Sequence, residues 1–213
     1  MMTLSTRDLG EQQDFQKTWK LQESLVQDRR KQKIPDTLLL LEHSPVYTIG
    51  RTRDQSSLRD TSHLPHPVVE INRGGQGTYH GPGQLVGYAI LDLNHYQRDL
   101  HQHLRNLEEA IIRTLRNYDI EAIRHDGLTG VWVEDRKIAS LGVGVRQWTS
   151  LHGLALNAQK ICLRGFQHIT PCGLDGVSIT CIESETDHPV IMDQLKSRLS
   201  RHLGEILENE WQP

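Results

Sequence analysis

The sequence predicts an α+β fold, in which a mixed, largely antiparallel sheet is flanked by helices. Three long segments have the helical spacing of apolar residues, and several short apolar runs follow one another with only tight turns between them. Strands joined by tight turns pair in antiparallel fashion, whereas a doubly wound nucleotide fold would alternate strands with helices. At 213 residues, the chain is expected to form one domain over residues 1–213.

The first half of the chain is predicted to hold one helix and four strands. Residues 12–29 carry Phe15, Trp19 and Val26 at spacings that place them on one helical face. Apolar runs then predict strands at residues 37–42, 46–49, 68–71 and 85–93. Ser44-Pro45 is a turn signal between the first two strands, and the polar residues 53–67 are typical of a loop.

The second half of the chain is predicted to hold two helices around three strands. Residues 99–118 form an amphipathic helix, since leucine or isoleucine recurs at positions 100, 104, 107, 111 and 115. Strands are predicted at residues 131–133, 138–145 and 151–156, with a hairpin turn at 134–136. A final helix is predicted at residues 190–211.

Composition excludes several classes of protein. The net charge of −3 argues against a protein that binds nucleic acid along its phosphate backbone. The longest purely apolar run, residues 38–41, is far too short to cross a membrane, and no apolar segment follows Met1, so a cytoplasmic protein is expected. The three cysteines form no CxxC pair and the twelve histidines no ligand block, so neither a disulfide framework nor a metal is expected.

A glycine-rich block, RGGQGTYHGPGQ, occupies residues 73–84 between two predicted strands. Glycine lets backbone N–H groups approach a ligand closely. The block lacks the spacing of a P-loop, and no helix follows it as a dinucleotide-binding motif requires. It could be only a tight connector, but its many hydrogen-bonding side chains favour a binding loop.

One lysine and one cysteine are candidates for chemistry. Lys137 is the only lysine between Lys33 and Lys160, and it opens a strand, so it could be an acid/base group or a solvated strand end. Cys172 lies between Pro171 and Gly173, a setting that presents a side chain on a sharp turn. It could be a nucleophile or only a packing residue. Cys162 and Cys181 have the apolar or β-branched neighbours typical of inert buried thiols.

Five motifs in order resemble those of the lipoyl(octanoyl)transferases, which are octanoyl-acyl carrier protein:protein N-octanoyltransferases. They are HSPVYTIGR at residues 43–51, the glycine-rich block, GVWV with KIASLG at residues 130–142, HGLALN at 152–157 and ITPCG at 169–173. The resemblance covers residues 19–182 and implies the biotin/lipoate protein ligase-like fold, which agrees with the mixed sheet.

The resemblance also implies site residues. The acyl-thioester cysteine of the family falls on Cys172 and its paired lysine on Lys137. The implied substrate-binding residues are Arg73, Gly74, Gly75, Gln76, Gly77, Thr78, Tyr79, His80, Ser140, Leu141, Gly142, Gly153, Leu154 and Ala155. Gly77 departs from the family pattern, which usually has a β-branched residue there, and is expected to loosen the loop and to remove one apolar contact.

The implied reaction moves an octanoyl group from octanoyl-acyl carrier protein, through a cysteine thioester, to the acceptor lysine of lipoyl domains in 2-oxoacid dehydrogenases and in the glycine cleavage H protein. Because an amide is more stable than a thioester, no ATP and no cofactor are expected. An ammonium on Lys137 would favour the thiolate of Cys172, and a neutral Lys137 could take the proton of the acceptor amine. The nearest rival for this base is His80.

Two other functions are open. An ATP-dependent lipoate or biotin ligase on the same fold would need an adenylate-binding lysine motif and no nucleophilic cysteine. A non-catalytic module that binds acyl carriers or lipoyl domains would have no need of both Cys172 and Lys137. An acidic carrier protein is expected to dock on a basic surface, for which Arg51, Arg53, Arg59 and Arg73 are the candidates.

Overall fold

The computed structural model describes residues 3–50, 55–58, 61–71, 73, 76–170 and 177–211. The strands are β1 (Ser5–Gln13), β2 (Thr37–His43), β3 (Val46–Ile49), β4 (Val68–Glu70), β5 (Thr78–His80), β6 (Gln84–Ile90), β7 (Ile123–His125), β8 (Leu128–Val133), β9 (Arg136–Arg146), β10 (Thr149–Asn157) and β11 (Ser178–Ile179). The helices are α1 (Phe15–Arg30), α2 (Leu100–Arg116), α3 (Leu163–Phe166), α4 (Ile182–Glu185) and α5 (Met192–Glu210). In the part of the chain that is described, no helix has the length and apolar character that crossing a membrane requires.

The main sheet has the strand order β1-β2-β6-β10-β9-β8-β7, and β11 joins it by pairing with β9. Its pairings are antiparallel except for β1 with β2 and β11 with β9, which are parallel. The predicted fold class, a mixed and largely antiparallel sheet flanked by helices, is therefore confirmed.

The sheet is the middle layer of three, which explains the uninterrupted apolar run in β2. Leu38 and Leu40 pack in a cluster with the apolar residues of α2 and α5. Leu39 and Leu41 point to the other face and pack with Leu25 of α1. Since successive side chains of a strand point to opposite faces, a strand covered on both sides is apolar at every position.

The polar strand β1 was not predicted, because STRDLGEQQ shows no alternation of apolar and polar residues. It forms by adding to β2 in parallel. Lys196 of α5 holds it by donating to both carboxylate oxygens of Asp8, at 3.0 and 2.9 Å. Helix α1 consequently begins at Phe15 rather than at residue 12, and the side chain of Asp14 caps it by accepting from the N–H of Lys17.

A second, three-stranded sheet has the order β4-β3-β5. The predicted strands around Ser44-Pro45 are both present, but the turn sends β3 out of the main sheet, so β2 and β3 do not pair. Part of the glycine-rich block forms β5, which pairs in antiparallel fashion with β3. The small sheet thereby holds the block against the main sheet.

Candidate active site

A cavity of about 240 Å³ lies between the small sheet, α1 and the strands β8, β9 and β10. Most of the predicted site residues line it, namely Arg73, Gln76, Gly77, Thr78, His80, Lys137, Ser140, Leu141, Gly142, Gly153, Leu154 and Ala155. Gly74, Gly75 and Cys172 lie outside the described residues. The cavity thus gathers residues that are far apart in the sequence.

A chain of hydrogen bonds between buried side chains holds the glycine-rich block. Arg73 Nη2 donates to Oγ1 of Thr48 at 3.0 Å and to its carbonyl oxygen at 3.2 Å. The Thr48 hydroxyl lies 3.4 Å from His80 Nε2, and His80 Nδ1 donates to Oε1 of Gln84 at 2.8 Å. Gln84 Nε2 donates to Oδ1 of Asn157 at 2.9 Å. These bonds fix the guanidinium and the imidazole in the cavity wall.

His80 and Arg73 are both buried in the cavity wall, with different consequences. Burial lowers the pKa of His80 to about 3, so its ring is neutral at pH 7. Arg73 keeps its charge but is only 8% exposed. Arg73 therefore does not belong to an exposed docking surface, contrary to the expectation from sequence. Arg51, Arg53 and Arg59 lie outside the described residues.

Tyr79 lies in β5 between two cavity residues, and its ring points to the other side of the strand. It packs against Tyr47 at 5.3 Å and edge-on against Phe166 at 5.7 Å between ring centroids. The contact of Tyr79 with a substrate stays a prediction, and in this structure the ring supports the block from behind.

Gly77 is tightly packed rather than loosely held. Its N–H donates to Oγ of Ser57 at 2.8 Å. A Cβ atom at this position would lie 2.5 Å from Cδ2 of Leu58 and 2.6 Å from the Ser57 hydroxyl. The buried Leu58 side chain thus fills the place where the family pattern has a β-branched side chain, and the expectation that glycine loosens the loop is wrong.

Gly77→Val should therefore destabilise the protein by about 1–3 kcal/mol, the usual cost of overpacking. The Gly77→Val/Leu58→Ala double variant should recover part of this loss, because removing the leucine makes room for the valine. Urea unfolding of the wild type, both single variants and the double variant would measure the coupling. Strictly additive effects would contradict the packing described here.

Lys137 reaches the cavity because β9 contains a bulge. Trp132 of β8 pairs with Lys137, but the preceding Val131 pairs with Ala139, so that Ile138 is an extra residue. In a regular strand Lys137 and Ser140 would point to opposite faces, since their separation is odd. With the extra residue both line the cavity.

The opposite wall depends on glycine in β10. Gly153 pairs with Gly142 of β9 and with Tyr88 of β6. A Cβ on Gly153 would lie 2.3 Å from the carbonyl oxygen of Gly87, so no larger residue fits between these strands. Glycine at this position lets β10 lie close against β6 in the cavity wall.

His152 lines the cavity and was not predicted as a site residue. Leu151 packs on the α1 side of the sheet and Leu154 on the α2 side, so alternation would place His152 with Leu154. Instead its φ is 63°. This left-handed conformation is costly for a residue with a side chain. The predicted strand at residues 151–156 gives no signal of it.

Contacts with α1 and β6 hold the turned side chain. The N–H of His152 donates to Oε1 of Gln22 at 2.8 Å. Its ring lies edge-on to Tyr88, with 6.2 Å between centroids. Tyr88 Oη is in turn 2.6 Å from His43 Nε2. Phe15 and Tyr88 also line this end of the cavity.

Buried histidines should make the fold sensitive to acid. Burial lowers the pKa of His43, His103 and His152 to about 4 and that of His80 to about 3. Because these values lie below the 6.5 of an unfolded histidine, the unfolded state takes up protons first. The part of the free energy of unfolding that these neutral rings contribute is fully present above pH 6.5. It should be lost as the pH falls towards 4, by about 1.4 kcal/mol per histidine and pH unit.

Urea unfolding at pH 7 and pH 5 measures this loss. His103→Leu should reduce the pH dependence, since His103 lies on α2 away from the cavity. Equal free energies of unfolding at the two pH values in the wild type would contradict the assignment of these rings as neutral.

The segment that carries Cys172 begins and ends beside the cavity. The N–H of Thr170 donates to the carbonyl oxygen of Ser57 at 2.7 Å, next to Gly77. After the residues that are not described, Ile179 of β11 pairs with Lys137 in parallel register. Thr180 then donates its N–H to the carbonyl oxygen of Lys137 at 3.0 Å.

Comparison with known proteins finds one matching family model and several relatives of similar sequence. The family model described as "Lipoyl protein ligase A/B catalytic domain" matches residues 14–204. An octanoyltransferase of Syntrophotalea carbinolica is 44% identical over 212 residues, which cover 99% of this chain and 97% of that protein. An octanoyltransferase of Geobacter sulfurreducens is 46% identical over 189 residues, covering 88% and 78%.

Solved structures share the fold. A bipartite lipoate protein ligase from Thermoplasma acidophilum superposes with a TM-score of 0.66 at 17% identity, covering 98% of this chain and 85% of that chain. The biotin protein ligase from Aquifex aeolicus gives 0.54 at 13%, covering 98% and 70%. The expected biotin/lipoate protein ligase-like fold is confirmed.

Proposed function

This chain belongs to the octanoyltransferases of the lipoyl protein ligase A/B catalytic-domain family and transfers octanoyl groups in protein lipoylation, and from that premise we propose how its cavity does so. The proposed donor is octanoyl-acyl carrier protein. The proposed acceptors are the lipoyl domains of 2-oxoacid dehydrogenases and the glycine cleavage H protein. We assign the reaction to one catalytic domain, residues 1–213, acting in the cytoplasm.

The observation that carries this proposal is the position of Lys137. Its side chain is only 5% exposed and forms part of the wall of the cavity. Its Nζ lies 5.2 Å from the ring centroid of Trp132, a distance at which a cation is attracted to the ring. Beside it, Leu141, Leu154 and Ala155 offer an apolar lining for an acyl chain. An octanoyl group fits such a lining, since each buried CH₂ contributes about 0.8 kcal/mol.

In the first step, Cys172 takes the acyl group. The Cys172 thiolate attacks the thioester carbonyl carbon of the donor, and the tetrahedral intermediate expels the carrier as a thiolate, which takes a proton from the Lys137 ammonium and leaves that lysine neutral for the second step. A free cysteine with a pKa of about 8.5 is mostly thiol at pH 7, so a nearby ammonium speeds this step by favouring the thiolate. Lys137 is the group that we assign to this role.

In the second step, the acceptor lysine takes the group from Cys172. Its amine, with an ordinary pKa of about 10.4, must lose a proton while it attacks the thioester. The C–N bond forms, the C–S bond breaks, the Cys172 thiolate leaves, and Lys137 receives the proton.

Transfer should need neither ATP nor a metal, because the donor is already a thioester. Octanoyl-acyl carrier protein, a lipoyl domain and the enzyme should give octanoylated lipoyl domain at the same rate with or without ATP and with or without EDTA. Mass spectrometry of the lipoyl domain measures the product.

The same assay separates the alternatives. Product that forms only from free octanoate and ATP would show a ligase, and binding without product would show a non-catalytic module. Either result would overturn the proposal, and omission of the enzyme is the control for spontaneous acylation.

A further inference from the structure

The Lys137 side chain fills the space that a side chain at Gly130 would occupy. Gly130 and Trp132 share one face of β8, and Lys137 is the residue of β9 that pairs with Trp132. Gly130 has a φ of 142°, a conformation that side chains rarely allow. A Cβ atom on Gly130 would lie 2.4 Å from Cε of Lys137 and 3.1 Å from its Nζ. The lysine side chain therefore passes directly over this glycine.

A buried carboxylate holds the same glycine from the other side. Glu108 of α2 is 1% exposed, and its Oε1 accepts the N–H of Gly130 at 3.0 Å. Its other oxygen accepts from Arg105 Nη1 at 2.7 Å and from Arg124 Nε at 3.1 Å. A buried carboxylate is costly unless it is paired and hydrogen-bonded, and here both oxygens have partners.

The backbone contact is the unusual part of this arrangement. The two arginines could pair equally well with a carboxylate at the surface, and that carboxylate would pay no cost of burial. Instead α2 places Glu108 beneath the sheet, where one oxygen fixes the strand position over which the Lys137 side chain runs. The bulge at Ile138 leaves the pairing of β8 with β9 irregular at this point. The hydrogen bond from Gly130 to Glu108 therefore holds the strand where its pairing with β9 is irregular.

We propose that Glu108 and Gly130 are positioning residues that set the place of the Lys137 ammonium in the cavity. Glu108 fixes the backbone of Gly130, and the absence of a side chain at Gly130 leaves the channel in which the lysine lies. This inference rests on the proposed function, in which Lys137 serves Cys172 and the acceptor amine. Neither residue lines the cavity, so neither is assigned a catalytic role itself.

The first test is Gly130→Ala, with Gly10→Ala as its control. Both glycines have a positive φ, but Cβ at Gly10 meets nothing within 4 Å, so the control has the backbone strain without the contact to lysine. In single-turnover kinetics Gly130→Ala should slow octanoyl release to the lipoyl domain by roughly 10- to 100-fold. The KM for the donor should stay within about threefold, and Gly10→Ala should behave as the wild type.

The second test is the pair Glu108→Gln and Glu108→Ala. Glutamine keeps a carbonyl oxygen for the N–H of Gly130 but turns its NH₂ group to the donors of Arg105 and Arg124, so it should lose stability yet retain transfer within about fivefold, whereas alanine should lose as much transfer as Gly130→Ala. Circular dichroism identifies variants that fold. If Gly130→Ala does not fold, the two Glu108 variants test the positioning role alone. Transfer that is retained in Glu108→Gln and lost in Glu108→Ala supports the role, and equal transfer in both contradicts it.

A readout independent of activity separates this inference from the proposed function. Reductive ¹³C-methylation makes the Lys137 amine visible by NMR, and its chemical shift should change in Gly130→Ala and Glu108→Ala but not in Gly10→Ala. An unchanged Lys137 signal together with wild-type transfer would overturn the positioning role. A moved signal with unaffected transfer would instead overturn the catalytic role of Lys137.

Discussion

Cys172→Ser should form no hydroxylamine-sensitive octanoyl adduct and should lose transfer by several orders of magnitude. Covalent catalysis depends on the thiolate, and a serine hydroxyl is far less acidic and a much poorer nucleophile at pH 7. The measurement is the intact mass of the protein after mixing with octanoyl-acyl carrier protein, followed by hydroxylamine treatment.

The matched controls for this variant are Cys162→Ser and Cys181→Ser. Both cysteines are buried, and burial raises the pKa of each thiol, so both stay protonated at neutral pH. These two variants should keep the adduct. An octanoyl group mapped to Cys162 or Cys181 would sink the assignment of Cys172.

Lys137→Arg should load an octanoyl group but release it slowly to the lipoyl domain. Arginine keeps a positive charge beside the cysteine, yet it cannot give up its proton near neutral pH. If Lys137 is the base for the acceptor amine, the second step should slow by roughly 10²- to 10⁴-fold in single-turnover kinetics while the first is largely kept. Lys137→Ala should fail at both steps, and its thiol alkylation should shift to higher pH.

The structure weakens the rival base. His80 Nε2 lies within hydrogen-bonding distance of the Thr48 hydroxyl, and His80 Nδ1 donates to Gln84. With a pKa lowered to about 3 by burial, its ring is a poor acceptor for the proton of an amine. Wild-type turnover by Lys137→Arg would leave Lys137 as an electrostatic aid only, and the base would have to be sought again.

Much of the fold could be predicted because its elements carry strong local patterns. The amphipathic spacing from Leu100 to Leu115 predicted α2 to within two residues at each end. The apolar run in β2 predicted a buried strand, and burial on both faces explains why that run has no alternation. The polar β1 carries no such pattern, and it forms only because β2 offers an edge and Lys196 a partner for Asp8.

The sequence predicted many of the residues that line the cavity but not how the chain brings them together. The motifs identified Lys137 and the glycine-rich block, and Lys137 and part of that block line one cavity. The bulge at Ile138 and the left-handed His152 depend on contacts with distant strands and helices, so no local pattern announces them. Glu108 is similarly hidden, because its partners Gly130 and Arg124 lie elsewhere in the sequence.

The central claim is that the octanoyl group passes through a thioester on Cys172. The most direct measurement is peptide mapping by mass spectrometry, after the enzyme is mixed with octanoyl-acyl carrier protein without ATP and quenched in acid. We expect one octanoyl group per chain, on the peptide that contains Cys172, and its loss when a lipoyl domain is added. An enzyme that transfers octanoyl to the lipoyl domain while no acylated cysteine is found, or one acylated at another residue, would contradict the claim.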